Sequence, residues 1–327
     1  MTYMWDEKNS GRKVLYHAVS SYQLLEVLLH KMTYHSEDRA VLILPDFITK
    51  KYPQYRKLKA DHFFDQVYLF PYLHIYHREE EEILKDTVKF YGQYIPCEIT
   101  EFDKIYVAGA HFYFSLYLLL NQIPFIFFED AAGMLSRWEE LGEGLKKKFP
   151  VHGEIAGKYG LFNGANPCVE RIICLKKAQT IDVSDPIYEN FSVEEALEKC
   201  SVGKRKKLIH FFLKKRIRTK AQAILLTQQF SNLGYMTEQE QYRLYTRVKE
   251  QMPKKVRVII KKHPDDSMNY SGIFPEAEVI KETFPSELLP YVFWKKPRTL
   301  YSVNSTGCEN LENHFIIRKL GREEETQ

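Results

Sequence analysis

No two of the five cysteines in this chain stand in a C-x-x-C pair. Cys97, Cys168, Cys174, Cys200 and Cys308 are odd in number and scattered, which argues against a disulfide framework and a cysteine zinc site. They read as free thiols in a reducing compartment. Long apolar runs are scarce too. The longest, from Phe112 through Phe128, is broken by Asn121, Gln122 and Pro124, and it falls short of the roughly 20 apolar residues that a membrane span needs. Met1 to Arg12 is polar and lacks the apolar region of a secretory signal. Low-complexity tracts are absent, and hydrophobic residues at 44% with aromatics at 14% suffice for real cores. Net charge is a mild +4, unevenly spread. The expectation is a soluble cytoplasmic protein, and 327 residues suit two domains of roughly 150 each.

Among what is present, Val256-Arg257-Val258-Ile259-Ile260-Lys261-Lys262-His263-Pro264 organises the rest. Its β-branched run reads as a buried parallel strand. Pro264 ends it, since proline cannot donate to a ladder and pushes the preceding residue out of the helical region. His263 then sits at the carboxyl end of a central strand, where open α/β sheets place ligands. The pattern around it alternates. Strands are expected at 13–17, 40–44, 66–70, 104–108 and 124–128, with helices at 22–32, 78–94 and 111–120 between them. Residues 149–201 are glycine-interrupted and read as irregular, with short strands. A second series follows: a strand at 223–227, a helix opened by a Thr237/Glu240 capping box, the Val256 strand, a short strand at 277–280, a helix around 286–292 and a strand at 299–303. The fold class expected is α/β and GT-B-like: two facing Rossmann-type domains with parallel sheets and an interdomain cleft. The boundaries read as 1–165, a basic crossing segment 166–220, and 221–327.

Three strand ends carry candidate chemistry. Glu129-Asp130-Ala131-Ala132-Gly133 follows a very apolar strand, where a carboxylate can acquire the raised pKa of a general base or simply cap a helix. Lys261-Lys262-His263-Pro264 offers cations and an imidazole to an anion, or a strand-ending histidine with two solvated lysines. Ser302-Val303-Asn304-Ser305-Thr306-Gly307 runs from a strand into hydroxyls at a helix start, either a phosphate seat or a plain cap.

In this order the motifs resemble those of bacterial sialyltransferases that use CMP-sialic acid, particularly glycosyltransferase family 52 and the related polysialyltransferases. The acidic motif matches Glu129-Asp130 with Gly133, the His-Pro motif His263-Pro264, and the hydroxyl motif Ser305-Thr306. Ser20-Ser21-Tyr22-Gln23-Leu24-Leu25 is similar to the family's first strand-to-helix turn, and Phe284-Pro285-Ser286-Glu287-Leu288 to the segment that holds cytidine. The family glycine normally follows the acidic pair directly, whereas here Ala131 and Ala132 intervene.

The resemblance implies inverting transfer of sialic acid from CMP to a sugar hydroxyl of a bacterial surface glycan, capsule or lipooligosaccharide, with no metal and no cofactor. Residues 1–165 would hold the acceptor and 221–327 the nucleotide donor. Asp130 would be the base, with Glu129 its nearest substitute. His263 would donate to the departing phosphate. Asn304, Ser305 and Thr306 would hold that phosphate and Glu287 the ribose, with Pro264, Lys262, Gly133 and Ser21 completing the substrate contacts. Two other readings stand beside it: a transferase using another cytidine-activated donor such as CDP-glycerol, and a non-catalytic nucleotide-sugar-binding protein of a glycan-assembly complex. The basic stretch Lys204 to Lys220 lacks a nucleic-acid module. It reads either as peripheral contact with the inner face of the bacterial membrane or as a solvated helix with a buried apolar stripe. Oligomeric state is not encoded in any motif.

Overall fold

β1 (Lys13–His17) runs through a capped turn into α1 (Ser21–Tyr34) and returns as β2 (Arg39–Pro45). Two single-turn helices, α2 (Ile48–Lys51) and α3 (Lys57–Ala60), precede β3 (Gln66–Phe70). Next come α4 (Glu80–Tyr94), β4 (Lys104–Val107), α5 (Tyr113–Leu120) and β5 (Phe125–Phe128). α6 (Trp138–Lys148), α7 (Pro150–Lys158), β6 (Val169–Cys174), β7 (Tyr188–Asn190) and α8 (Val193–Lys199) complete the first of two units, Met1–Ser201 and Val202–Gln327. The computed structural model describes residues 11–75, 78–130, 133–175, 185–303, 308 and 311–321.

The strands of the first unit form one parallel seven-stranded sheet in the order β3-β2-β1-β4-β5-β6-β7. Leu15 pairs with Val41 on one side and Ile105 on the other. Because helices cover both faces of such a sheet, its central strands are apolar along their whole length. Val14, Leu15, Tyr16 and Phe128 are fully enclosed, and Phe125, Ile126 and Phe127 nearly so. The chain changes direction between β1 and β4, so loops leaving the carboxyl ends of β1, β4 and β5 diverge there and leave room for a ligand.

Residues 149–201, expected to be irregular, contain α7, β6, β7 and α8. The glycines misled the reading for a physical reason. A Cβ on Gly153 would lie 2.7 Å from the backbone nitrogen of Lys146, so this glycine lets α7 pack tightly on α6. β6 and β7 are the short strands expected in this stretch, β6 carrying a weak apolar signal because its Glu170 and Arg171 are exposed.

The second unit begins with α9 (Val202–Phe212), followed by β8 (Ala223–Leu226), α10 (Glu238–Gln251) and β9 (Val258–Lys261). Then come β10 (Glu278–Val279), α11 (Leu289–Val292), β11 (Thr299–Ser302) and β12 (Ile316–Lys319). Its five parallel strands are ordered β10-β9-β8-β11-β12, with the reversal between β8 and β11. The predicted Thr237/Glu240 capping box opens α10, with both reciprocal bonds made. β12 gave little signal, being an edge strand whose Ile316 is 55% exposed. Each unit is therefore a Rossmann-type parallel α/β body, the fold class expected. The segment 166–220 is divided between them at Ser201/Val202.

Candidate functional site

At the reversal point of the first sheet, the start of α1 does two jobs. Ser20 Oγ accepts from the Gln23 N–H at 3.2 Å, and Gln23 Oε1 accepts from the N–H groups of Val19 and Ser20 at 2.9 and 3.2 Å. This satisfies amides that a helix start leaves without partners. The same side chain then donates from Nε2 to Oδ1 of Asp130, at the end of β5. Gly109, at the end of β4, makes room for it. Its φ is +71, and a Cβ there would sit 2.4 Å from Val19 Cγ2 and 2.8 Å from Gln23 Oε1. Ser21 is the half-buried first residue of α1.

The two carboxylates after β5 differ sharply. Glu129 is fully enclosed, and its oxygens accept from the N–H groups of Leu135 at 3.0 Å and Leu175 at 2.7 Å. It fastens the segments leaving β5 and β6. Asp130 is 24% exposed. Burial pushes its pKa up from 3.8 to about 6, with the Gln23 hydrogen bond pulling the other way. The capping alternative for Asp130 concerns the Ala131-Ala132 turn, which lies outside the described residues; the next described turn, Leu135–Arg137, has Met134 at its start. Gly133 takes a left-handed φ of +82 just before that turn.

Behind this pair lies Glu26 of α1, completely buried, neither oxygen having a hydrogen-bond partner among the described residues. Burial and then the charges of Asp130 and Glu129 hold its carboxyl well above the usual range. Its sequence position, inside an apolar helix face, had given no hint of this.

His111 Nδ1 lies 3.7 Å from Asp130 Oδ1. Burial pushes the imidazole down to about 4, so it stands beside Asp130 as a neutral group at pH 7. Its ring stacks on Phe162, and its backbone oxygen accepts from His152 Nε2 at 2.6 Å. His17 is structural by contrast. Fully buried and pushed down to about 3, it donates from Nδ1 to the Ala108 carbonyl at 2.8 Å and accepts from the Tyr72 hydroxyl at 2.6 Å.

In the second unit, β9 delivers its loop beside the end of β8. The His263 N–H donates to Thr227 Oγ1 at 3.3 Å, and Thr227 Oγ1 donates to Asp266 Oδ2 at 2.5 Å. Asp266, buried, also accepts from Tyr270 Oη at 2.6 Å, the Met268 N–H at 3.1 Å and Gln241 Nε2 at 3.2 Å. So many donors on one carboxylate fix the loop's path. The Asp265 N–H donates to His263 Nδ1 at 3.2 Å. A nitrogen that accepts from an amide has no proton of its own, so in the neutral ring the proton is on Nε2. Pro264 occupies the turn between these bonds. Lys262 Nζ is 2.8 Å from the Met268 carbonyl, to which it donates.

Lys261, for which the sequence leaves open either an anion contact or plain solvation, is 6% exposed, its ammonium 5.0 Å from the Phe284 ring centre. Glu287 is 7% exposed. Burial lowers the pKa of Lys261 and raises that of Glu287, each partly offset by the charge of the other. The end of β9 and the Phe284–Leu288 segment thus each bury an ionisable side chain whose charge favours that of the other. Asn304, Ser305 and Thr306 lie outside the described residues.

Comparison with known proteins agrees with this architecture. The family described as Glycosyltransferase family 52 matches residues 39–318. An uncharacterized protein of Haemophilus influenzae is 25% identical over 206 residues, 61% of this chain and 64% of that protein, so the match spans less than two thirds of its length. Among solved structures, an α/β-galactoside α-2,3-sialyltransferase from Photobacterium phosphoreum superposes with a TM-score of 0.56 at 12% identity, covering 97% of this chain and 92% of that one. A putative UDP-N-acetylglucosamine 2-epimerase from Listeria monocytogenes gives 0.51 at 10% identity, over 92% and 76%. At such identities the likeness is one of fold, the two-unit GT-B type.

Proposed function

The chain belongs to glycosyltransferase family 52, and on that premise we propose that it is an inverting, metal-independent sialyltransferase. The donor is CMP-sialic acid and the acceptor a sugar hydroxyl of a bacterial surface glycan, capsule or lipooligosaccharide. The fold it shares with a galactoside sialyltransferase supports the reading. The observation that carries it is Asp130: a partly exposed carboxyl at a strand's carboxyl end, aimed by Gln23, with a pKa of about 6. Such a group is charged yet basic at neutral pH, as a general base must be.

The acceptor hydroxyl gives its proton to Asp130 as its oxygen bonds to the anomeric carbon of the donor. The bond from that carbon to the phosphate oxygen breaks on the opposite face, and CMP departs. His263, with Nδ1 occupied by Asp265, presents Nε2–H to the departing phosphate and stabilises its charge. Glu287 accepts from the ribose hydroxyls, while Ser305 and Thr306, flanked by Asn304, hold the phosphate. Pro264 shapes the phosphate loop, Gly133 the acceptor-side turn, and Ser21 meets the substrate at the start of α1. Lys262 adds positive charge from its tether. Glu129, whose oxygens both take backbone amides, is assigned to holding Asp130 in place. Among the described residues no helix is long and apolar enough to cross a membrane, and we place the enzyme in the bacterial cytoplasm.

Thermal unfolding with CMP, CDP and UMP tests the donor. A nucleotide at ~100 times its dissociation constant stabilises the native state by about 2.7 kcal/mol. CMP is expected to do so, UMP weakly, and CMP not at all in His263→Ala. Stabilisation by CDP in preference to CMP would move the assignment to a CDP-activated donor. No response to any cytidine nucleotide in a folded protein would point to a non-catalytic role.

A further inference from the structure

The basic stretch that follows α9 joins a second one distant in sequence. Ile217 forms a parallel bridge with Phe293: its N–H donates to the Val292 carbonyl at 2.8 Å, and its carbonyl accepts from the Trp294 N–H at 3.0 Å. This seam lays Lys214-Lys215-Arg216-Ile217-Arg218 beside Trp294-Lys295-Lys296-Pro297-Arg298. Arg216 also donates to the Phe293 carbonyl. Trp294 is 60% exposed, and the guanidinium carbons of Arg216 and Arg218 lie 5.4 and 4.9 Å from its ring centre. Lys296 is tied back to the His314 carbonyl at 2.8 Å, and the Thr219 hydroxyl donates to Glu278 Oε1 at 2.7 Å. Next to the seam a cavity of about 320 Å³ is lined by Arg205, Lys206, His210, Lys214 and Lys215, with Tyr291 among its walls.

An in-plane amphipathic helix is not the device, because the apolar face of α9 points inward. Leu208, Phe211, Phe212 and Leu213 are all at most 3% exposed. What is left outside is a cationic strip with one indole standing out of it. Indoles settle at the headgroup level of a bilayer, and clustered lysines and arginines are drawn to anionic lipid. We propose that the Arg216–Trp294–Arg218 strip is a docking surface for an anionic lipid bilayer, with Trp294 at the headgroup level and the adjoining basic cavity taking a lipid phosphate. The proposal is independent of which sugar nucleotide the enzyme uses.

The test is co-sedimentation of the full chain with phosphatidylglycerol–phosphatidylcholine vesicles and with pure phosphatidylcholine vesicles, read together with tryptophan emission. The chain is expected to partition onto the anionic vesicles alone, with a blue shift that Trp294→Ala removes. Binding weakens with salt as the Debye length falls from about 10 Å at 0.1 M to about 3 Å at 1 M. Each basic residue at an anionic surface contributes a factor of about five in partition, so Arg216→Ala with Arg218→Ala lowers it about 25-fold. Lys214→Glu with Lys215→Glu reads the same property from exposed side chains, should the arginine pair prove necessary for folding. Equal binding to both vesicle types, anionic binding unchanged in both double variants, or binding to heparin without binding to vesicles would overturn the proposal.

Discussion

Replacing Asp130 by asparagine should make the protein more stable and nearly inactive. The side chain keeps its size and an oxygen for Gln23 but loses its charge. In the folded chain the carboxyl has a pKa of about 6, against an ordinary 3.8. At 1.36 kcal/mol per pKa unit, the charged form costs the native state about 3 kcal/mol, and screening at the 24% exposed side chain leaves about 2 kcal/mol. The sign follows from linkage. Between pH 3.8 and 6 the native state holds the proton while the unfolded state has lost it, so stability falls as pH rises through that window. The cost is complete above pH 6 and absent below the unfolded value. Asp130→Asn should therefore gain about 2 kcal/mol in urea unfolding at pH 7, a gain that shrinks to nothing near pH 4, while kcat falls by about 10²- to 10⁴-fold. A variant less stable than wild type at pH 7, or equally stable at both pH values, would refute the idea that desolvation raises this pKa.

Gln23→Ala removes a donor to the charged form of Asp130, and such bonds are worth about 1.5–3 kcal/mol. The acid limb of kcat/KM should move upward from near pH 6 by roughly one pH unit or more; a limb that stays in place would remove Gln23 from the mechanism. Gly109→Ala forces a Cβ into a left-handed residue against Val19 and Gln23, for a destabilisation of about 2 kcal/mol or more. Unchanged urea unfolding would show that the β4 loop has slack.

The strands of the first half were legible because a parallel sheet covered on both faces needs continuous apolar runs, and Phe125–Phe128 is such a run. Asp130 was legible for the related reason that charge directly after an apolar strand needs a purpose. Gln23 was visible only as part of a helix start. Its partnership with Asp130, 107 residues away, exists because the sheet order brings β1, β4 and β5 side by side. Periodicity cannot express that adjacency. Glu26 and Lys261 were hidden in the opposite sense: charged residue types ordinarily seek water, and here the fold encloses both. Gly153 shows a third limit, since a glycine that breaks a helix and one that lets two helices touch are the same letter.

The most direct test of the account is turnover. Purified protein is incubated with CMP-sialic acid and a galactoside acceptor in the presence of EDTA, and CMP release and the anomeric configuration of the product are followed by NMR. The account predicts stoichiometric CMP and sialylated product of inverted configuration, both abolished in Asp130→Asn and His263→Ala. Product with retained configuration, or turnover undiminished in Asp130→Asn, would contradict it.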